Sequence, residues 1–253
     1  MNFKCQYNEN INNNTMKNLI KKASYTFMFI LAIAISSCQC WEEPGIVISE
    51  TRSLDEFTGI RINSIGKVNL YASEEYKVNI KTHDNIMNDI AVFITDNVLE
   101  INLTGNHKRI KTLEFDVFAP SFNLIQQEDV ASIICLDGFS TDQLQVIQND
   151  VGDIKLNNIS VDLLKIDLND VGDIEISGIA NNTKANLKGV GDIRLFETNC
   201  QTADINLSGT GDIEINASEQ LSINLSGVGS VYYKGSPSMI VNNTGVGKII
   251  NVN

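Results

Sequence analysis

From residue 129 onward, apolar and polar residues alternate in short runs that recur along the chain. Before a series of Gly-containing turns stand Ile166/Leu168, Ala185/Leu187, Ile205/Leu207 and Ile223/Leu225. After the turns stand Ile154/Leu156, Ile174/Ile176, Ile193/Leu195 and Ile213/Ile215. Alternation with period two is the mark of a strand with one buried face. The turns repeat as Asp150-Val-Gly-Asp-Ile154, Asp170-Val-Gly-Asp-Ile174, Gly189-Val-Gly-Asp-Ile193, Gly209-Thr-Gly-Asp-Ile213, Gly227-Val-Gly-Ser-Val231 and Gly245-Val-Gly-Lys-Ile249, after a degenerate first copy, Asp129-Val-Ala-Ser-Ile133. The third residue of the unit falls at 131, 152, 172, 191, 211, 229 and 247, a period of 18 to 21 residues. Repeats of that length form solenoids, in which each unit buries its apolar face only against its neighbours. Two short strands and a tight corner per repeat, with no helical pattern between them, predict an all-β fold: a parallel β-helix or β-solenoid with coils of 18–21 residues, stacked about 4.8 Å apart.

Residues 46–125 lack the regular repeat. Alternating runs such as Ile60-Arg-Ile62, Val68-Asn-Leu70, Val78-Asn-Ile80, Leu99-Glu-Ile-Asn-Leu103 and Phe115-Asp-Val117 still read as strands. This part is expected to form irregular coils of the same solenoid and to cover one end of it. Gly105-Asn-His-Lys-Arg-Ile-Lys111 is a basic loop in an otherwise acidic chain, either plainly solvated or a contact point for an acidic partner.

The corner residues suggest their own geometry. The first position is Asp129, Asp150 or Asp170 in the early coils and Gly in the later ones, residues that share tolerance of left-handed backbone angles. The second glycines, Gly152, Gly172, Gly191, Gly211, Gly229 and Gly247, imply positive φ again or close backbone contact between coils. No helix follows, and both the GxGxxG spacing and the Walker lysine are missing, so these are not phosphate loops. Stacking would align Lys155, Glu175, Arg194 and Glu214 as a ladder of alternating charge worth a few tenths of a kcal/mol per pair, up to about 1. It would also align Asp153, Asp173, Asp192 and Asp212 as a like-charge row. Such a row is tolerable if the carboxylates accept backbone N–H groups at the corner or share a cation as a weak calcium-type site. A catalytic carboxylate row is the third reading. Asn186, Asn206, Asn224 and Asn242 form a further row, solvated or amide-stacked.

The N-terminal segment carries an address. Lys17, Lys21 and Lys22 precede an apolar run, residues 27–37, that ends in small residues. A positive flank, a short apolar core and a small-residue exit make a signal peptide over residues 1–37, too short to be a stable membrane-spanning helix. Translation from Met16 would give it ordinary length; the other reading keeps residues 1–15 as a disordered extension. The exit Ile35-Ser36-Ser37-Cys38 resembles the lipobox of bacterial lipoproteins, which implies an acylated Cys38 and a lipid-bilayer anchor. Ordinary cleavage leaving a spare thiol is the alternative. Residues 38–46 are the tether, and 47–253 the solenoid domain. Gln39 offers no inner-membrane retention signal, so an outer-membrane location is expected, facing the periplasm or the cell surface.

Composition narrows the functions. The 253 residues hold 19 Lys and Arg against 31 Asp and Glu, a formal charge of -12. Four lysines and one glutamate leave with residues 1–37, so 15 basic and 30 acidic residues remain. Such a surface repels phosphate backbones, which excludes nucleic acid as a main partner. Two histidines, His83 and His107, leave little material for His-based catalysis or metal binding. Cys135 and Cys200 read as small core residues, with a disulfide as the alternative.

The Gly-x-Gly-Asp-Ile units, the closing Gly227-Val-Gly-Ser-Val-Tyr-Tyr-Lys-Gly-Ser-Pro237 and Gly245-Val-Gly-Lys248, and the leader Arg52-Ser-Leu-Asp-Glu-Phe-Thr-Gly-Ile-Arg-Ile62 resemble the head GIN domain family of auto-transporter adhesins, common as lipoproteins of Bacteroidetes. Gly66-Lys-Val-Asn-Leu70 and Asn97-Val-Leu-Glu-Ile-Asn-Leu103 share the resemblance, which covers roughly residues 48–253. It implies a β-helical fold, an outer-membrane or surface address and an adhesin role, and brings no catalytic residues. Asn149-Asp150 and Asn169-Asp170 depart from the family's Ser-Gly. The expected function is therefore a non-enzymatic surface lipoprotein without a cofactor, an adhesin or scaffold for a glycan or extracellular protein ligand. A polysaccharide-acting β-helix enzyme and a purely structural envelope protein are the alternatives, and the open end of the solenoid is a place for homodimerisation.

Overall fold

The computed structural model describes residues 45–105 and 110–253; the signal segment, Met16, Cys38, the tether up to residue 44 and His107 lie outside the described residues. The described chain is a β-solenoid of about six turns. Its regular part comprises β8 (Leu124–Gln127), β9 (Ala131–Cys135), β10 (Ser140–Gln148), β11 (Ile154–Leu168), β12 (Ile174–Leu187), β13 (Ile193–Leu207), β14 (Ile213–Leu225), β15 (Val231–Lys234), β16 (Ser238–Asn243) and β17 (Ile249–Asn251). All of these pair in parallel with the equivalent residues of the next coil, as in Ile154↔Ile174, Ile174↔Ile193, Ile193↔Ile213 and Ile213↔Val231.

The two strands foreseen on either side of the corner run together here as one long bent strand per coil. In β11 the buried residues are Ile154, Leu156, Ile159, Val161, Leu164, Ile166 and Leu168. Steps of two keep a strand flat with one face inward; the steps of three, from 156 to 159 and from 161 to 164, force it round a bend to keep facing the core. The register shifts at the first of these bends, where Asn158 and Gly178 take positive φ of 57° and 131°. The core is a column of Ile, Leu, Val and Ala side chains, nearly all fully buried.

The N-terminal part departs from chain order. The strand β2 (Gly59–Asn63) lies between β6 (Val98–Leu103) and β8, and β3 (Gly66–Ala72) lies between β7 (Leu113–Ala119) and β9, all in parallel. The coil formed by β6 and β7 is thus stacked outside the one formed by β2 and β3, although it comes later in sequence. Beyond it, β4 (Lys77–His83) runs antiparallel to β7, β1 (Val47–Ser53) antiparallel to β4, and β5 (Ile90–Thr95) antiparallel to β6. The expectation of irregular coils therefore holds for two turns, and three antiparallel strands form the outer layer of this head end. The hairpin between β5 and β6 explains part of the change in direction: Asp96 and Asn97, with φ of 51° and 61°, close a two-residue turn that only antiparallel strands can share. The short helix α1 (Asp84–Met87) joins β4 to β5 and receives the entering chain through Asp84 N–H to Ile46 O, 2.9 Å. Beside it, buried His83 holds the Gly45 carbonyl through Nδ1 at 2.7 Å. At the opposite, tail end, β16 pairs only with β14 and β17 only with β15.

The corner glycines set the coil spacing. Gly152, Gly172, Gly191, Gly211 and Gly229 have φ between 141° and 152°, and a Cβ on Gly191 would stand 1.9 Å from the Gly172 carbonyl oxygen. Positive φ and backbone contact thus coincide at these positions. The final one, Gly247, is not in the positive region, yet its Cβ would stand 1.6 Å from the Gly229 oxygen. Gly191→Ala is expected to destabilise the solenoid by about 2–4 kcal/mol, from a disfavoured φ and a clash that only coil separation can relieve. Urea denaturation against the native chain checks this, and a loss under about 1 kcal/mol contradicts it.

Candidate functional site

The most organised polar surface is the corner itself. The Asp173 N–H donates to Asp153 Oδ1 at 3.0 Å, Asp192 N–H to Asp173 Oδ1 at 2.9 Å, Asp212 N–H to Asp192 Oδ1 at 2.9 Å, and Ser230 N–H to Asp212 Oδ1 at 2.6 Å. The backbone carbonyls of Asp173, Asp192 and Asp212 accept the N–H groups of Ile154, Ile174 and Ile193 of the preceding coil. Every inner aspartate is thereby tied to the coil before it by two bonds and to the coil after it by its side chain. Hydrogen bonds to a charged acceptor are worth roughly 1.5–3 kcal/mol each, which exceeds the like-charge cost of the row.

Arg194 completes the arrangement. Although it aligns with Glu175 and Glu214 in the ladder, its guanidinium turns aside to donate to Asp173 Oδ2 at 2.8 Å and Asp192 Oδ2 at 2.7 Å. The alternating ladder accordingly forms at one rung, Lys155 Nζ to Glu175 Oε1 at 2.6 Å, and gives way at the next. The reason is geometric: two carboxylates with free Oδ2 atoms offer the fork two partners at once. The hydrogen bond that Arg194 donates to Asp173 makes its guanidinium hold its proton more firmly than usual. Glu214, left without that partner, is pushed above the usual carboxylate range by burial.

The first corner position does something other than expected. Asp129, Asp150 and Asp170 are not among the residues with positive φ, so left-handed tolerance is not the reason for Asp or Gly there. Asp129 and Asp150 instead accept the N–H of the following residue, Val130 or Val151, on their own Oδ1 at 2.7 and 2.8 Å. Where glycine stands, that N–H reaches the previous coil: Thr210 to Gly189 O, Val228 to Gly209 O and Val246 to Gly227 O, each at 2.9 Å. Asp caps the corner locally, whereas Gly lets successive corners join as a continuous ladder.

The Asn row is an amide ladder in part, with Asn206 donating to Asn186 and Asn242 to Asn224 at 3.1 and 2.9 Å, and Asn186 to Asp167 at 3.0 Å. Sequence reasoning missed Gln127 and Gln148, which are fully buried and donate from Nε2 to corner carbonyls, including Val151 O at 3.1 Å and Val171 O at 2.8 Å respectively. Later coils carry Leu168, Leu187, Leu207 and Leu225 at this place. It also missed the pair Tyr71–Phe118, stacked at 4.8 Å near the head end with Lys77 Nζ 4.8 Å from the Phe118 ring centre. The signal lay in the β3–β7 pairing, between segments 47 residues apart.

On the flank, outward rows of neighbouring coils frame an open groove of about 470 Å³. Asn182, Thr202 and Gln220 line it with Lys184, Asp204 and Ser222, beside the apolar Leu163, Ala203 and Ile240. The rows are in register from coil to coil, and Thr202 Oγ1 donates to Asn182 Oδ1 at 2.7 Å. Among the described residues no group of three or more His, Cys, Asp or Glu side chains is placed to hold a metal ion.

The solenoid's repeat and corners bear directly on kinship. A family model described as "putative auto-transporter adhesin, head GIN domain" matches residues 56–237. The chain belongs to the head GIN domain family. Among solved structures, one described as a putative adhesin from Bacteroides fragilis is similar to this domain at 26% identity and a TM-score of 0.77, over 83% of this chain and 99% of that one. A structure described as a putative lipid binding protein from Parabacteroides distasonis shares the fold at 18% identity and a TM-score of 0.66, over 83% and 98%. One described as a putative adhesin from Parabacteroides merdae shares it at 20% identity and a TM-score of 0.58, over 83% and 97%. No protein with a curated description matches the chain.

Two outcomes follow for this head GIN domain. Asp192→Ala removes the acceptor of the Asp212 N–H and one partner of Arg194; a loss of about 1–3 kcal/mol is expected, with Asp192→Asn losing less because its amide oxygen still accepts. Paired denaturation curves check the order, and equal losses contradict it. Cys135 and Cys200 are free and buried, and burial pushes the Cys200 thiol from near 9 up to about 11. A folded thiol value above the unfolded one leaves stability intact below pH 9 and erodes it as pH rises toward 11. At pH 8 both thiols should resist a disulfide reagent until the domain is unfolded, read as thiol release against denaturant.

Proposed function

We propose that this head GIN domain is a non-enzymatic envelope adhesin, held to the outer membrane through acylated Cys38 and binding an extracellular ligand along its flank. The observation that carries the reading is the point at which the chain enters the domain. The chain enters at Gly45–Val47 beside α1 and β1, the outermost elements of the head end. Cys38 stands seven residues before Gly45 in the sequence, so a lipid there would tether the domain through this entry point. Membership of an adhesin family supports a surface or envelope role.

The flank groove is the surface we assign to the ligand. Its rows of amide, hydroxyl and charged groups recur with the coil beside the apolar Leu163, Ala203 and Ile240, so they match an extended chain with both polar and apolar faces, such as a glycan, better than a compact molecule. The corner carboxylates are poor candidates for acid–base work because backbone N–H groups and Arg194 already engage them.

Two measurements test the proposal. Cys38→Ala in the full chain is expected to move the protein from the membrane to the soluble fraction; equal membrane retention sinks the anchor. Residues 45–253, nearly the whole of what the Bacteroides fragilis relative comprises, should bind a saturable component of a glycan and matrix-protein array. Replacing Asn182 and Thr202 by Ala should lower that binding roughly tenfold, the effect of losing about 1.4 kcal/mol of contacts. A blank array, or binding indifferent to the groove, overturns the ligand-site assignment.

A further inference from the structure

Elsewhere on the solenoid, several outward polar rows close on themselves. Asn63 donates to Asn102 at 2.6 Å, Lys155 to Glu175 at 2.6 Å and Asn206 to Asn186 at 3.1 Å, each pair joining neighbouring coils. The flank groove behaves differently. Lys184, Asp204 and Ser222 occupy equivalent positions of β12, β13 and β14, with Lys165 one coil before them and Ile240 one coil after. Lys184 and Asp204 stand in register with opposite charge, yet form no ion pair with each other. Among the described residues, the side chains of Lys184, Asp204, Gln220 and Ser222 have no hydrogen-bond or ion-pair partner. All four line the groove, so their hydrogen-bonding capacity is kept for whatever enters it.

The lining comes from five successive coils, from Leu163 to Ile240, and from no more than three consecutive positions in any one coil. At strand and coil spacings the groove therefore runs about 19 Å along the solenoid axis and about 7 Å across it. An occupant lies along the axis and meets new chemistry once per coil. Lys184 only donates, Asp204 only accepts, and Ser222 and Gln220 do both. A hydroxyl group is donor and acceptor at once, so a chain of hydroxylated units satisfies all four. A sulfated, phosphorylated or uronate chain would set its anions on Asp204, in the field of a chain of formal charge -12. A basic peptide would set its cations on Lys184. A neutral extended peptide binds through main-chain pairing, and β12, β13 and β14 are already paired on both edges.

Resting on the assignment of this groove as the ligand site, we propose that its ligand is a neutral, linear oligosaccharide laid along the solenoid axis, with successive hexoses at the coils of Lys184, Asp204 and Ser222. One hexose carries a linear glycan forward by about one coil spacing, so the sugars keep step with the coils. A hydroxyl of one unit accepts from the Lys184 ammonium, and a hydroxyl of the next donates to the Asp204 carboxylate. The third unit meets Ser222 and Gln220, both on β14. Leu163 and Ile240, the latter 60% exposed, stand one coil beyond this stretch at either end and offer apolar contact to ring C–H groups.

The test titrates residues 45–253 with neutral linear oligosaccharides of increasing length, from β-1,4-glucan, β-1,4-mannan and α-1,4-glucan series, and with polygalacturonate and a sulfated glycan as charged counterparts. At least one neutral series should bind, with affinity rising up to the trisaccharide and levelling off beyond it. Binding should be indifferent to salt, because the ligand carries no charge. Asp204→Ala should weaken the trisaccharide about tenfold, and Lys184→Ala and Ser222→Ala should weaken it too. None of these side chains has a partner within the chain, so the urea midpoints of the variants should stay at the native value. A monosaccharide bound as tightly as the trisaccharide overturns the proposal, as does preference for the charged polymers. Binding of a charged glycan or a protein that depends on Asn182 and Thr202 keeps the groove as the ligand site and overturns only the neutral-sugar assignment. Absence of binding to every series up to about 10 mM, together with a blank glycan and matrix-protein array, overturns both.

Discussion

Everything in this domain depends on how closely the backbones approach at the corner. Successive coils meet there with main-chain atoms in contact, and a Cβ at Gly172, Gly191, Gly211 or Gly229 would sit 1.9 Å from the carbonyl of the coil before. Wider separation would lengthen the parallel hydrogen bonds on both sides of the corner, because the same chain carries all of them. The glycines thus act less as flexible hinges than as the one residue thin enough to keep every strand of the stack within bonding distance.

The same closeness resolves an electrostatic difficulty. A carboxylate repeated at each coil would repel its neighbours in water. Here one oxygen of each aspartate accepts the next coil's N–H, and Arg194 takes the remaining oxygens of Asp173 and Asp192. Groups that would otherwise expose unpaired amides at the bend become cross-coil links. Gln127 and Gln148 do related work from inside the core of the earlier coils, where the corner is built with Asp instead of Gly.

A stack held in this way is a stiff rod with regularly spaced surface chemistry, which suits display better than turnover. Its two ends differ. The head end finishes in antiparallel strands and receives the entering chain, while the tail end finishes in plain coils with no acidic side chain. That polarity gives the domain a direction.

The repeat, the all-β class, the inward residues and the glycine row were legible in the sequence. Each coil touches the one about twenty residues away, so a contact in space is also a fixed spacing in the chain. The alignment of the Asp row was legible for the same reason, but its bonding to the corner N–H groups was one of three readings the residues left open. The stacking of the β6–β7 coil outside the β2–β3 coil was not, because pairings such as Ile62↔Ile101 and Ile62↔Gln127 join segments with no shared period. Nor was the choice made by Arg194, since Glu175, Asp173 and Asp192 all lie within one coil of it and only side-chain geometry selects among them. Periodicity determined what each coil is; which coil lies where, and which charges meet, was decided by three-dimensional packing, because those contacts follow from distance in space and leave no spacing in the chain.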